Sequence, residues 1–210
     1  MNNQYYKGSE EMENKQYLIA EARREQIIKA SIEVLTDIGY SSTSLSKIAS
    51  KANISTGLIS YHFSGKEDLM RNTLMYLVQQ ERAFIKEKVE QKQTYMEKLM
   101  VFIEAGLAYQ GTKRGNNIAL LEIVFNGRTP DNVPYYLVEI DHEDELNVLL
   151  KEILYKGQES KEFGDFDPQV IAIVIRGAIS GSMSLPQYEN KLNLEDYSEK
   201  LVKSILKMIQ

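Results

Sequence analysis

Residues 39–69 read GYSSTSLSKIASKANISTGLISYHFSGKEDL, two short helical stretches with punctuation at both ends of each. Thr43 or Ser44 offers a side-chain oxygen to the first free amide groups of a helix reaching about Ala52, with Leu45, Ile48 and Ala49 on one side. Asn53 marks a tight turn. Ser55 is a second N-cap, opening a very short helix that ends near His62. Two short helices separated by three or four residues make a helix-turn-helix unit.

Working outward, residues 19–38 carry Ile27, Ile28, Ser31, Val34, Leu35 and Ile38 at helical spacing, and Gly39 follows where a helix end favours a left-handed residue. The polar, unpatterned stretch before this predicts a flexible arm over 1–17, leaving 18–65 as the helix-turn-helix domain. Beyond the Ser64-Gly65 break, residues 66–90 form a long amphipathic pattern with Leu69, Leu74, Leu77, Val78, Phe84 and Ile85. It leads into a second domain, 66–210. Further helices are expected at about 94–110, 116–127, 133–155, 168–185 and 194–208, separated by Gly, Pro and Asp-rich breaks. No segment reads as strand and no repeat is visible, so the expected class is all-α with about nine helices.

Composition narrows the chemistry. The 210 residues contain no cysteine, which excludes disulfides, thiolate zinc sites and cysteine nucleophiles, and the two histidines, His62 and His142, do not make an imidazole-rich metal site. No glycine-rich phosphate loop is present, and neither histidine has a nucleophile and an acid beside it in the sequence. The expectation is therefore a protein that is not an enzyme, without metal or cofactor. The first twenty residues lack an apolar signal core, and the longest apolar run, 170–175, cannot span a bilayer, so a cytoplasmic protein is expected. The net charge is −5, yet residues 15–66 hold seven bases (Lys15, Arg23, Arg24, Lys29, Lys47, Lys51, Lys66) against four acids. A basic surplus of three ahead of a remainder at −8 is the asymmetry of a DNA module joined to a domain that does not bind DNA.

These residues, taken together, resemble the N-terminal domain of TetR-family regulators. The resemblance is carried by Ile27, Ala30 and Leu35, Gly39-Tyr40, Thr43-Ser44, Ile48-Ala49, Ala52, Ile54-Ser55-Thr56-Gly57, Tyr61-His62-Phe63, Lys66-Glu67 and Leu69. It covers about fifty residues; the rest of the chain shares only helix count and an ending of two amphipathic helices. Two positions depart: Asn53 stands where the family usually has Gly, and Leu35 where it usually has Phe. Asn is the non-glycine residue that best tolerates a left-handed turn, and Leu fills the same apolar role with less volume.

A recognition helix presents small and polar side chains at its N-terminal end while apolar residues behind anchor it. Thr56, Gly57, Leu58 and Tyr61 can face outward when Ile59 and Phe63 face in; Gly57 allows close backbone approach and Leu58 a thymine methyl contact. Ser44, Ser55, Tyr61, His62 and Lys66 complete the expected DNA contacts, with Ser44, Tyr61, His62 and Lys66 placed for phosphates. Singly, Tyr61 reads as a core aromatic, His62 as a surface histidine and Lys66 as a solvated lysine. Only their joint spacing points to DNA.

The stretch FDPQVIAIVIRGAISGSMSL (166–185) opens with Asp167 as N-cap and Pro168 at the first helical position. Gly177 and Gly181 fall four apart beside Ala178 and Ser182, a small-residue stripe along which another helix can approach closely. The last helix carries Leu201, Val202, Ile205, Met208 and Ile209. The resemblance implies that this pair builds a homodimer interface, assigned to Gly177, Gly181, Leu201 and Ile205. It also implies a small-molecule pocket, for which Phe102, Tyr109, Ile118, Glu122, Phe125, Tyr135 and Arg176 are the candidates. Glu122 shares a helix face with Ile118 and Phe125, where an unpaired carboxylate is costly unless a cation, Arg176 or a ligand, meets it. The expected function is a repressor binding near-palindromic double-stranded DNA as a homodimer and released by a small molecule; the alternative is a ligand-independent activator or architectural DNA binder.

Overall fold

The computed structural model describes residues 3–137, 144–184 and 193–210. Among these the chain forms nine α-helices: α1 Asn3–Ser42, α2 Leu45–Ala52, α3 Thr56–His62, α4 Lys66–Glu90, α5 Tyr95–Thr112, α6 Arg114–Asn126, α7 Glu145–Glu159, α8 Pro168–Gly181 and α9 Leu194–Ile209. The all-α expectation holds. The helices form two compact units, Met1–Tyr76 with Ile118–Val138, and Leu77–Asn117 with Glu139–Gln210. Helices α4 and α6 each run continuously from one unit into the other.

Three boundaries differ from expectation. Helix α1 is already formed at Asn3, within the stretch expected to be a flexible arm. The helix-turn-helix unit extends past residue 65 to Tyr76 and takes in Ile118–Val138. The helix expected over 133–155 begins only at Glu145, capped by Asp144. Its expected first residues instead make a bridge between Arg128 and Pro134 and a 3-10 turn at Tyr135–Leu137. Pro134 keeps Val133 out of helical geometry, and the Val133 amide donates instead to Thr129 Oγ1 at 3.1 Å. His142, the 138–143 part of that expected helix, and the expected helix end at residue 185 lie outside the described residues.

The first unit closes over Ile27, Leu35, Ile48, Ile59 and Leu69, all fully buried, with Phe63 at 2 % exposure. Each such side chain contributes roughly 1.5–3 kcal/mol by leaving water. Its turns are made by the residues the sequence marks. Gly39 has φ 73°, a value L side chains resist, and kinks α1 just before its last residues. Asn53 adopts φ 53°, ψ 48°, the left-handed geometry usually given to glycine, and its amide donates to carbonyls of Ala49 and Ser50. Ser44 Oγ accepts from the Lys47 amide and Ser55 Oγ from the Leu58 amide, opening α2 and α3.

The second unit has its own core, including Leu99, Phe102, Ile103, Leu150, Ile153, Ala172, Ile175, Ile179, Val202 and Ile205. Its helices start on strong caps. Thr94 and Glu97 form a reciprocal capping box on α5. Asp167 accepts from the amides of Gln169 and Val170 ahead of Pro168, as expected for α8, and Asn193 opens α9. Among the described residues no helix is long and apolar enough to cross a membrane, and no cluster of His, Asp and Glu suits a metal.

Candidate nucleic-acid interface

Helix α3 divides cleanly by face. Ile59 is fully buried and Phe63 nearly so, while Thr56, Gly57, Ser60 and Tyr61 are exposed, Tyr61 at 81 %. Leu58 and His62 are half-buried. Tyr61 thus stands clear of a helix whose back is sealed by Ile59 and Phe63. Among the described residues, a Cβ added at Gly57 would meet only Ser55 Oγ, at 3.9 Å, so that spot on the outer face is open to a close backbone approach. Ser60 lies one turn beyond Thr56 on the exposed side, and sequence reasoning had passed it over.

The clamp that holds α3 is also absent from the sequence reading. Arg24 Nη1 donates to the His62 carbonyl at 2.7 Å, Nη2 donates to Asn72 Oδ1 at 3.0 Å, and the guanidinium lies 4.5 Å over the Phe63 ring. A planar donor fork over an aromatic face satisfies the carbonyl end of α3 and fixes its last turn. Gln26 does the same for α2, donating to the Ala52 carbonyl at 2.8 Å. Helix α4 is set by Asp68, which accepts both the amide and the hydroxyl of Ser64; the Ser64 amide holds its carboxyl below the usual range. No local pattern announces contacts 38 and 48 residues apart.

Much of the basic surplus is thus spent internally. Besides Arg24, Lys51 pairs with Glu33 and Asp37 at 3.0 and 3.3 Å, and Lys29 with Glu25 at 2.8 Å. Lys66, expected on a phosphate, donates to the Tyr40 carbonyl at 2.8 Å and sits 4.4 Å over the Tyr40 ring. Burial pushes its ammonium below the usual lysine range. Ser44 and Ser55, also assigned to DNA, serve as helix caps here.

Glu122 has a different setting from the one its neighbours suggested. Its Oε2 accepts the Tyr40 amide at 2.8 Å, and a Cβ at Gly39 would lie 3.2 Å from the same oxygen. Asn126 Nδ2 also approaches it, at 3.3 Å. Tyr40 is thereby gripped at its N–H by Glu122 and at its C=O by Lys66. Arg176, the partner suggested for Glu122, instead donates to Asp144 at 2.9 Å. The interior side of this half of α6 is Ala119 and Ile123, both fully buried, whereas Phe125 is 63 % exposed and meets Tyr136 with ring centroids 6.0 Å apart.

The pocket candidates divide between the units: Ile118, Glu122, Phe125 and Tyr135 in the first, Phe102, Tyr109 and Arg176 in the second. Of the dimer candidates, Gly177 and Gly181 have no atom of the described residues within 4 Å of an added Cβ. Val170 and Ile173 beside them are 53 % and 70 % exposed. Ile205 belongs to the unit's own core at 1 % exposure, because α9 turns Val202, Ile205 and Ile209 inward; Leu201 is half-buried and Met208 is exposed.

A sealed, capped and clamped short helix that holds small and polar side chains to the outside, following a second short helix across a left-handed turn, is a helix-turn-helix reading head. Residues 27–73 match the model of the bacterial regulatory proteins, tetR family, so this segment of the chain is similar to the DNA-binding domain of that family. It is 37 % identical over 71 residues to the HTH-type transcriptional regulator BetI of Vibrio campbellii, covering 34 % of this chain and 36 % of that protein. The chain thus spans about a third of the length of that curated relative. Against BetI of Vibrio vulnificus the likeness is 25 % over 186 residues, 85 % of this chain and 91 % of the relative. The solved structure of FadR from Bacillus subtilis in complex with stearoyl-CoA superposes with a TM-score of 0.73 at 22 % identity, over 89 % of this chain and 99 % of that one. At that identity the likeness is one of fold.

Proposed function

We propose that the chain is a dimeric, sequence-specific repressor that binds a near-palindromic operator and leaves it when a small molecule binds the second unit. The observation that carries this is the outer face of α3, where Thr56, Gly57, Ser60 and Tyr61 are exposed on a helix fixed by Ile59, Phe63 and Arg24. Thr56 and Tyr61 read base edges, while the main-chain amides at the helix starts and the exposed Lys47 meet phosphates. Two such heads in a two-fold dimer reach half-sites about 34 to 36 Å apart, one helical turn.

Dimerisation is assigned to the open face of α8, where Val170, Ile173, Val174, Gly177 and Gly181 follow one another at helical spacing, joined by Leu201 and Met208 of α9. Effector release follows if the ligand favours a state in which the heads no longer match successive grooves, since only differential affinity shifts an equilibrium. Helices α4 and α6 are the routes, being continuous between the units, and Glu122 ties α6 to the end of α1. The test is an electrophoretic shift of genomic fragments by the unliganded protein at low salt, with Tyr61→Ala and Gly181→Leu in parallel. Tyr61→Ala changes which fragments bind; Gly181→Leu gives monomers by light scattering and loses DNA. Absence of any shifted fragment defeats the proposal.

A further inference from the structure

Gln110, near the end of α5, is 9 % exposed, and its Oε1 is the one buried side-chain polar atom without a partner among the described residues. Its orientation is fixed at both ends. The Gln110 carbonyl accepts from Asn117 Nδ2 at 2.9 Å, and its Nε2 donates to Glu81 Oε1 of α4 at 3.4 Å. With the amide nitrogen turned to the carboxylate, the amide oxygen is left as an empty acceptor beside an acid. Buried acceptors are nearly always filled, so this one marks a position where a donor belongs.

Charge specifies the donor. Glu81 is half-buried, and among the described residues no cation lies within ion-pair distance of it. Arg176 contributes at longer range, but its guanidinium is bonded to Asp144 at 2.9 Å, and Asp144 also caps α7 through the Leu146 amide. Among the described residues, Glu81, Asp144 and Arg176 therefore carry one net negative charge. The carbonyl end of α5 adds to the same sign. Phe84, one turn after Glu81 on α4, and Tyr109, adjacent to Gln110 on α5, lie with ring centroids 5.6 Å apart and supply an aromatic flank. A neutral donor would fill Gln110 Oε1 but leave the charge; a quaternary ammonium would meet the charge but leave Oε1 empty.

We propose that Glu81 and Gln110 form the polar end of the effector site and take a protonated primary or secondary amine carrying an aromatic or aliphatic body, with one N–H to each oxygen. This rests on the reading of the chain as an effector-released regulator, and it transfers the acidic role first assigned to Glu122 to Glu81.

The test is calorimetric titration of the full chain with 2-phenylethylammonium and with n-alkylammonium ions of four to ten carbons. The corresponding alcohols and N,N,N-trimethyl derivatives are titrated alongside. At least one ammonium should bind ten-fold or more tighter than its alcohol and its trimethyl derivative. Glu81→Gln should weaken it ten-fold or more, and Gln110→Met several-fold, with no change in alcohol binding. Both variants are checked for native melting, and Gln110→Met keeps the test open if the other fails to fold. Failure of every ammonium to bind, or equal affinities in wild type and Glu81→Gln, overturns the site. Operator shifts run beside the titrations keep the two ideas apart: DNA bound but no amine taken up rejects this site alone, and amine taken up without DNA binding rejects the repressor alone.

Discussion

The helix-turn-helix unit and the second helical unit are both built from capped amphipathic helices, yet they use polar residues in opposite ways. Around α3, nearly every buried polar end is met by a side chain from elsewhere in the same unit: Arg24 on the His62 carbonyl, Gln26 on that of Ala52, Lys66 and Glu122 on either side of Tyr40. In the second unit Gln110 Oε1 has no partner among the described residues, and Arg176, whose charge reaches the neighbouring Glu81, is bonded to Asp144. A unit whose groups are saturated is organised to hold one surface still. One that keeps a buried acceptor unpaired beside an acid suits the ligand-binding role proposed for it. Rigid presentation and ligand dependence are thus expected in different parts of the chain, and substitutions should separate them.

The largest effect is expected where the saturated unit loses its anchor. Phe63→Ala removes a ring 2 % exposed that also carries the Arg24 guanidinium, which should cost about 3–5 kcal/mol in urea denaturation. A loss below 1 kcal/mol would mean that α3 is not held from behind. Arg24→Ala should follow at about 2 kcal/mol, from an unsatisfied carbonyl and a lost stack, and Arg24→Lys should not restore it because an ammonium has no planar fork. Tyr61→Ala, at an 81 % exposed position, should change stability by no more than about 0.5 kcal/mol while altering DNA selection. Equal stability losses for Arg24→Ala and Tyr61→Ala would erase the distinction between clamp and reader.

Legibility in the sequence follows the same division. Elements fixed by local chemistry were readable: the left-handed Asn53, the Ser44 and Ser55 caps, the Asp167-Pro168 start of α8, the inward Ile59 and Phe63 and the outward Tyr61. What escaped reading was set by residues far apart in the chain. Arg24 looked like one more base on a DNA-binding surface, although its partners are 38 and 48 positions away. Glu122 drew attention because apolar residues shared its helical face, but that face carries an exposed Phe125, and the carboxylate answers the Tyr40 amide. Glu81 and Gln110, separated by 29 positions, had no local signature. Ile205 shows the limit of periodicity: it identifies an apolar stripe but not whether the stripe faces the chain's own core or a second copy.

Glu122→Ala should come next, removing the acceptor for the Tyr40 amide at the Gly39 bend, for about 1–2 kcal/mol of stability. Glu122→Gln, which keeps an acceptor oxygen, should recover most of the loss. Binding of the ammonium probes should change by no more than about three-fold in either variant, because the contacts of Glu122 lie in the first unit and it can act on the ammonium only through the balance between states. Ammonium affinity reduced ten-fold by Glu122→Gln would return the acidic role to Glu122 and dissolve the contrast between the units.

The smallest effect has the opposite sign. Burial pushes the Glu81 carboxyl above its ordinary value of 4.5, with Asp144 adding to the rise and Arg176 opposing it. A carboxyl raised on folding binds its proton more tightly in the folded chain. Its stabilising contribution is therefore complete below 4.5 and is lost as pH rises through the folded value. Glu81→Gln carries no charge to lose and keeps a hydrogen-bonding oxygen. Without ligand, the variant should match wild type within about 0.5 kcal/mol at pH 4 and become more stable by about 1 kcal/mol above neutrality. Paired urea denaturations across pH measure this as a difference in which the other carboxylates cancel. Saturating ammonium should narrow the gap at neutral pH, because wild type gains binding free energy that the variant cannot. A variant less stable than wild type at pH 7 without ligand would show that Arg176 already satisfies Glu81, and the second unit would then be as saturated as the first.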